Sequence, residues 1–224
     1  MCMNKLSLVV ILIFISGCLK AQSDFQQLSI GVGAGAARTY AASPIIKTTL
    51  AYNGIICYYP SEFFHVELEG QIGQLAGGKI GTTHLNYDNH YQAVFLEPVL
   101  HLGVFLYNSE SDFLKTFSNL YAGAGVGLIH NEVVDYSIVN QYTRSIIPII
   151  PVKVGYEYSF FDDYNDPVLK INLSYSINTS MGRGLDGYFG PMHQSAKLFV
   201  FYGLQIAYPI NLNKNQRRER LSLH

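Results

Sequence analysis

The sequence predicts an all-β fold, an eight-stranded, antiparallel, up-and-down transmembrane β-barrel. Three observations predict it. Charged residues make up only 14% of the 224-residue chain, whereas roughly 25% is typical of soluble globular proteins. Apolar and polar residues alternate in segment after segment, with the period of two that characterises β-strands. The links between these segments are alternately longer and shorter along the chain, as the two ends of a membrane barrel require.

Residues 1–21 have the pattern of a secretory signal peptide. A lone lysine precedes an apolar run over 6–15, which is too short to span a membrane as a helix. We therefore expect the chain to be exported. Two cleavage sites compete: we favour cleavage after Ala21, but residues 15–18 resemble the lipobox of bacterial lipoproteins, which would leave a lipid on Cys18.

Residues 22–210 are predicted to form the barrel, and 211–224 a basic periplasmic tail. The eight predicted strands cover 27–37, 47–58, 63–74, 92–106, 119–129, 146–159, 168–178 and 197–209. Most of them are long enough to cross a bilayer when tilted.

Strand after strand separates an apolar face from a polar one. In chain order the clearest examples are Ile30 and Val32 against Gly31 and Gly33 in the first strand, Val66 and Leu68 against Glu67 and Glu69 in the third, Leu96 and Leu100 against Glu97 and His101 in the fourth, Val152 and Val154 against Lys153 in the sixth, Ile171 and Leu173 against Lys170 and Asn172 in the seventh, and Leu204 and Ile206 against Gln205 in the eighth. None of the eight apolar faces carries a charged residue. A soluble barrel would need many exposed Lys and Glu residues on its outer face, so we expect these apolar faces to meet lipid and the polar faces to line the lumen.

The lumen of an eight-stranded barrel is only wide enough for side chains to fill, so we expect a closed barrel and not an open pore. Strand parity directs a polar network into it: Glu67, Glu69, Glu97, His101, Lys153, Glu157 and Lys170. We expect Glu157 to pair with Lys170 across a hairpin. Lys153 then faces three glutamates, so either His101 carries a proton or one glutamate is neutral.

Turn-like residues at 59–62 and 161–167 are predicted to lie at the periplasmic end of the barrel. Aromatic residues gather at that end, as an interfacial girdle requires. They are Tyr58, Phe63, Phe64, Tyr158, Phe160 and Tyr208. At the opposite end, the link over 179–196 is the most distinctive, and its candidate contact residues for a ligand or partner are Arg183, Asp186, Tyr188 and Phe189.

No catalytic, cofactor-binding or metal-binding residues are predicted. Four histidines fall in predicted extracellular loops without the spacing of a zinc motif: His84, His90, His130 and His193. The acidic turn around Asp162 lacks the ligand spacing of a calcium loop. A His-x-Ser pair, His193 with Ser195, is similar to that of outer-membrane lipid A deacylases, but its parity points away from the lipid.

Three segments resemble small outer-membrane β-barrel proteins of the Bacteroidota, of the PorT-like and OmpX-like type. They are the glycine-alternating 119–128, the strand over 151–158 and the Ala21-Gln22 junction. The resemblance covers most of the mature chain and implies a fold and a location in the bacterial outer membrane. It implies no particular activity, because the family includes proteins of unknown role as well as components linked to secretion.

The expected function is that of a non-enzymatic outer-membrane barrel with a structural or surface-binding role. Its expected partners are outer-membrane lipids and either an extracellular ligand or a protein of a secretion complex. Nucleic acid is not expected, because the net charge is −1 with no basic field over the chain. Two alternatives stay open: a component of a secretion or assembly machinery, and a lipid A-modifying enzyme.

Overall fold

The computed structural model describes residues 27–40, 46–78, 87–106, 117–136, 141–163, 166–182, 185 and 198–211. Antiparallel strands make up nearly all of them. The strands are β1 (Gln27–Tyr40), β2 (Thr48–Ser61), β3 (Phe64–Gly77), β4 (Tyr87–His101), β5 in two segments, β5a (Leu120–Ala124) and β5b (Val126–Asp135), β6 (Gln141–Phe161), β7 (Pro167–Ser180) and β8 (Leu198–Asn211).

The strands close into a ring of eight. Each strand pairs antiparallel with the next along the chain, and β1 pairs with β8 over its full length, from Gln27 opposite Asn211 to Tyr40 opposite Leu198. The two segments of β5 form one strand between β4 and β6, interrupted at Gly125, whose backbone N–H donates to the carbonyl of Pro151 across 3.0 Å. The predicted eight-stranded, up-and-down barrel is therefore confirmed.

The alternation of side chains follows the predicted parity. On β3, Leu68 is 44% exposed, whereas its neighbours Glu67 and Glu69 are each 1% exposed. Large apolar side chains are exposed on the outer face of every strand. One example from each, in chain order, is Val32, Ile56, Leu68, Val94, Leu128, Val154, Leu173 and Leu204. The barrel is thus apolar outside and polar inside over this band, the reverse of a soluble barrel.

The outer face becomes polar towards one end of the barrel, the end opposite to the start of β1 and the end of β8. There Gln74 donates to Asp88 at 2.5 Å, and Arg144 forms an exposed 3.0 Å ion pair with Glu132. Asp88, Glu132, Arg144 and the exposed Arg38 lie on parts of the strands beyond the predicted spans, and Gln74 is the last residue of its span. The charge-free outer face therefore holds for the spans predicted from sequence and ends where polar side chains begin.

Several predicted boundaries were wrong. β4 begins at Tyr87 instead of 92 and ends at His101 instead of 106, because the chain then forms a short helix, α1 (Gly103–Leu106), and a 3₁₀ turn at Phe117–Asn119. Strands β5 and β6 also reach further than predicted towards the end of the barrel opposite to the termini. Within the described residues, no helix is long and apolar enough to cross a membrane.

The predicted alternation of long and short links was also wrong. The link over 102–119, at the end predicted to have short turns, is the longest, and the link over 136–140, at the opposite end, is short. At the end farther from the termini, the polar outer face of the extended strands removes the contrast of period two, so strand residues resemble loop residues. At the termini end, the apolar residues over 102–106 resemble a strand, although 103–106 form a short helix. The two predicted tight turns are present: β2 and β3 are joined through residues 62–63, and β6 and β7 through 162–166.

Candidate functional site

The half of the barrel interior nearer the chain termini contains the predicted polar network. Strand register sets its level, because Cys57 lies opposite Glu67 on neighbouring strands and Glu67 lies opposite Glu97. Lys153 reaches the same level from β6. Each of these four side chains is at most 1% exposed, so the network is enclosed by the barrel wall.

Lys153 lies at the centre of three carboxylates. Its Nζ contacts Glu67 Oε1 and Glu69 Oε2 closely and Glu97 Oε1 at 3.1 Å. Glu69 also accepts a hydrogen bond from Asn53 Nδ2 at 2.8 Å. A single ammonium group therefore faces three buried carboxyl groups, an arrangement in which full ionisation leaves an excess of negative charge.

A second ionic group lies closer to the termini end. Lys170 Nζ contacts Glu157 Oε1 at 2.9 Å, and the Tyr59 hydroxyl donates to Glu157 Oε2 at 2.7 Å. Lys170 also lies 3.6 Å from the centre of the Tyr59 ring, within the range of a cation–π interaction. The structure therefore brings Glu157 and Lys170 together across the β6–β7 hairpin and adds Tyr59, which the sequence prediction did not include.

His101 lies next to His65, with His101 Nε2 and His65 Nδ1 3.2 Å apart. The residue of this pair that approaches the glutamates is His65, whose Nε2 is 3.9 Å from Glu67 Oε2. Sequence alone allows two ways to balance the glutamates, a protonated His101 or a neutral glutamate. A protonated His65 is a third. Strand parity could have found it, because His65 shares the inward face of β3 with Glu67.

The half of the interior farther from the termini combines polar side chains, such as Asn89 and Asn131, with an apolar cluster that the sequence analysis did not predict. Tyr91 and Phe199 pack with ring centroids 5.4 Å apart, and Phe95, Phe201 and Leu185 are buried in the same cluster. The side chains of β8 explain the difference, because its inward positions near this end are phenylalanines and not polar residues.

Leu185 belongs to the link between β7 and β8, yet it is fully buried in the barrel mouth. Asn89 Nδ2 donates to the Leu185 carbonyl at 2.9 Å and to Asn131 Oδ1 at 2.8 Å. The link is therefore anchored to the strands by both its backbone and an apolar side chain.

Glycines make the filled interior sterically feasible. A Cβ atom at Gly155 would lie 2.3 Å from the Tyr121 hydroxyl, and a Cβ atom at Gly35 would lie 2.6 Å from Phe201 Cε2. The Tyr121 hydroxyl donates to Asn172 Oδ1 at 2.6 Å across the interior. The alternating glycines thus leave room for aromatic side chains that cross the lumen.

Several predicted residues lie outside the described part of the chain. They are the loop contact candidates Arg183, Asp186, Tyr188 and Phe189, the lipidation candidate Cys18, and the loop histidines His84 and His193. The other two predicted loop histidines are instead strand residues on the outer face, His90 in β4 and His130 in β5b. The strands extend past the predicted boundaries at both places.

Comparison with known proteins gives structural neighbours only. No family model matches the chain, and no curated protein matches it. Among solved structures, the chain is similar to the attachment invasion locus protein Ail of Yersinia pestis, with 15% identity and a TM-score of 0.47 over 83% of this chain and 99% of that one.

Two further neighbours are Neisserial surface protein A and the N-terminal β-barrel domain of Pseudomonas aeruginosa OprF. The first has 8% identity and a TM-score of 0.48 over 81% of this chain and 96% of its own. The second has 15% identity and a TM-score of 0.42 over 83% of this chain and 100% of its own. These identities and TM-scores are too low to transfer a function, and the barrel is established by its own strand pairing.

Proposed function

We propose that the protein is an integral outer-membrane β-barrel with a structural or surface-binding role and no catalytic site. The observation that carries the proposal is the inverted polarity of the barrel wall. Leu173 and Leu204 are 62% and 51% exposed, whereas the neighbouring Asn172 and Gln205 are 3% and 1% exposed. Exposed apolar side chains around a complete ring would be unfavourable in water and are expected against lipid.

The location follows from the same proposal together with the N-terminal sequence. Residues 1–21 are an export signal, the barrel follows, and 211–224 form a basic periplasmic tail. In this proposal the termini end of β1 and β8 lies in the periplasm and the link that contains Leu185 lies at the cell surface. The lipid-facing Tyr158 and Phe160, with ring centroids 4.9 Å apart, then lie at the periplasmic membrane interface.

A surface-binding role is supported by the anchoring of the β7–β8 link. Anchoring at Leu185 restricts the link at one point, and a restricted segment loses less conformational entropy when it binds. The ligand or partner class follows from the composition of the link, which combines Arg183 and Asp186 with the aromatic residues Tyr188 and Phe189. A protein or glycan at the cell surface would be recognised by such a mixture.

The barrel is proposed to be closed to solutes. The Lys153 cluster obstructs the lumen near the periplasmic end, and the aromatic cluster with Phe95 and Phe201 fills it near the outer end. Planar-bilayer recording of the purified barrel tests this directly. We expect no steady single-channel current, and a large steady conductance would replace the proposal with that of a porin.

Cell fractionation tests the location. The protein should appear in the detergent-insoluble outer-membrane fraction, and its mobility on a gel should change on heating, since folded barrels resist unheated dodecyl sulfate. Recovery in the soluble periplasm would contradict the proposal.

Crosslinking before purification distinguishes a solitary barrel from a secretion-complex component, which would copurify with stable partners. An unchanged lipid A mass in cells that lack the gene is expected, and a changed mass would indicate the enzyme alternative.

A further inference from the structure

Cys57, His65 and Glu67 point into one small space inside the barrel, close to its periplasmic end. Cys57 and Glu67 are register partners across the β2–β3 hairpin, and His65 precedes Glu67 by two residues on the same inward face. Each of the three residues is 1% exposed. One potential ligand atom from each lies within 4.8 Å of the other two, so a thiol, an imidazole and a carboxylate converge at one buried place.

The separations are close to those of a tetrahedral zinc site. With Zn–S near 2.3 Å and Zn–O near 2.1 Å, sulfur and oxygen ligands lie about 3.6 Å apart, and nitrogen and oxygen ligands lie about 3.4 Å apart. Cys57 Sγ is 3.5 Å from Glu67 Oε2, and His65 Nε2 is 3.9 Å from the same oxygen. The Cys57–Glu67 separation already matches, the His65–Glu67 separation is about half an ångström too long, and the third side of the triangle is at most 4.8 Å.

The two carboxylate oxygens of Glu67 face different neighbours. Its Oε1 contacts Lys153, and its Oε2 faces Cys57 and His65. Glu67 can therefore bind a cation through one oxygen while the other keeps its contact with the lysine.

Charge balance favours a cation at this place. Glu67, Glu69 and Glu97 share the single ammonium group of Lys153, and buried charges are stable only when they are paired. A divalent ion beside Glu67 would offset the excess. The triangle of glutamates itself is not the candidate site, because the Lys153 ammonium already occupies its centre.

The second nitrogen of His65 is oriented as metal-binding histidines require. His65 Nδ1 lies 3.2 Å from His101 Nε2, so a hydrogen bond between the rings directs His65 Nε2 towards Cys57 and Glu67. A partner of this kind on the non-ligating nitrogen fixes the tautomer and orientation of a ligand histidine. His101 would therefore be a positioning residue for the site.

The geometry points to a zinc site formed by Cys57, His65 and Glu67 inside the barrel. Thiolate, imidazole and carboxylate are all zinc ligands, and three of them leave one tetrahedral position for a water molecule. Binding converts the Cys57 thiol to a thiolate and releases one proton to solvent, so the step conserves charge and atoms. The ion would tie β2 to β3 and neutralise part of the glutamate cluster.

Cobalt and zinc loading during refolding tests this inference. Because the ligands are buried, the tag-free protein is refolded into detergent micelles with Zn²⁺, with Co²⁺ or with EDTA, and then separated from free metal by gel filtration. We expect about one zinc ion per chain by elemental analysis, and the Co²⁺ form should show a thiolate-to-metal charge-transfer absorption band. Cys57→Ser should abolish the band, and His65→Gln should lower zinc affinity by at least about tenfold.

His130→Gln is the matched control, because His130 lies on the outer face of the barrel and should leave metal content unchanged. Heat-dependent gel mobility reports whether each variant forms the barrel. If Cys57→Ser does not fold, X-ray absorption of the zinc-loaded unsubstituted protein still decides, since one sulfur ligand is required. Zinc-free protein after loading, a metal without a sulfur ligand, or equal losses in His65→Gln and His130→Gln would overturn the site and leave a protonated His65 as the partner of Glu67.

Discussion

Replacing Lys153 with methionine should destabilise the barrel far more than an ordinary lysine replacement. The substitution keeps most of the apolar side-chain volume and removes the ammonium group from Glu67, Glu69 and Glu97. The three carboxyl groups remain buried and lose their shared partner. The barrel wall prevents water from replacing it, because the glutamates are at most 1% exposed.

The magnitude follows from two opposing contributions. At an effective dielectric constant near 20, two unit charges at the 3.1 Å separation of Lys153 and Glu97 attract each other by about 5 kcal/mol. Burial of the ammonium group costs several kcal/mol, and the methionine variant recovers that cost. Breaking a buried ionic group by removing one partner leaves a net loss of about 3–5 kcal/mol in the free energy of unfolding.

Urea unfolding in phospholipid vesicles measures the loss, with EDTA present so that metal binding makes no contribution. Lys47→Met is the matched control, because Lys47 is exposed just before β2 and should change stability by less than about 0.5 kcal/mol. Adding Glu69→Gln and Glu97→Gln to Lys153→Met should restore part of the loss, because the unpaired charges are then removed. Equal effects at Lys153 and Lys47, or no restoration, would refute the reasoning.

The wall and the processing of the chain give three further predictions. Leu173→Arg should cost about 2–4 kcal/mol in vesicle unfolding, because it places a charge against lipid, whereas Leu173→Phe should cost little; equal costs would contradict a lipid-facing wall. Gly155→Ala should cost about 1–3 kcal/mol through its clash with an aromatic hydroxyl, while Gly70→Ala, with no atom within 4 Å of its Cβ position, should be neutral or stabilising. Intact-mass measurement should show an N-terminus at Gln22, and a lipid-modified Cys18 would contradict that cleavage site.

The direction of each side chain could be predicted from sequence, whereas strand ends could not. Period two alone separates lipid-facing from lumen-facing positions, as Leu68 and Glu67 show. The same signal requires a contrast in polarity, and that contrast is lost where both faces are polar. In β4, the outer-face residues His90 and Gln92 alternate with the inner-face residues Asn89 and Tyr91, so the sequence pattern began the strand too late and assigned His90 to a loop.

Contacts within the polar network needed register in addition to parity. Parity places Cys57, His65 and Glu67 inside, but a register shift between Tyr58 and Ser61 sets Cys57 opposite Glu67. A search by sequence spacing, such as the search for zinc motifs among the histidines, does not detect residues that a hairpin brings together. Counting positions from the tight turn finds this group only when that register shift is included.

The ionic group around Lys153 and the aromatic cluster around Phe95 close the lumen by different means. The ionic group is held by attraction between buried charges, which is strong where the wall keeps bulk water away. The aromatic cluster is held by the burial of apolar surface, since opening it would expose Phe95, Phe201 and the buried Leu185 to water. Leu185 comes from the β7–β8 link and not from a strand, so replacing it with a smaller side chain would remove packing from this cluster without altering the strand pairing of the wall.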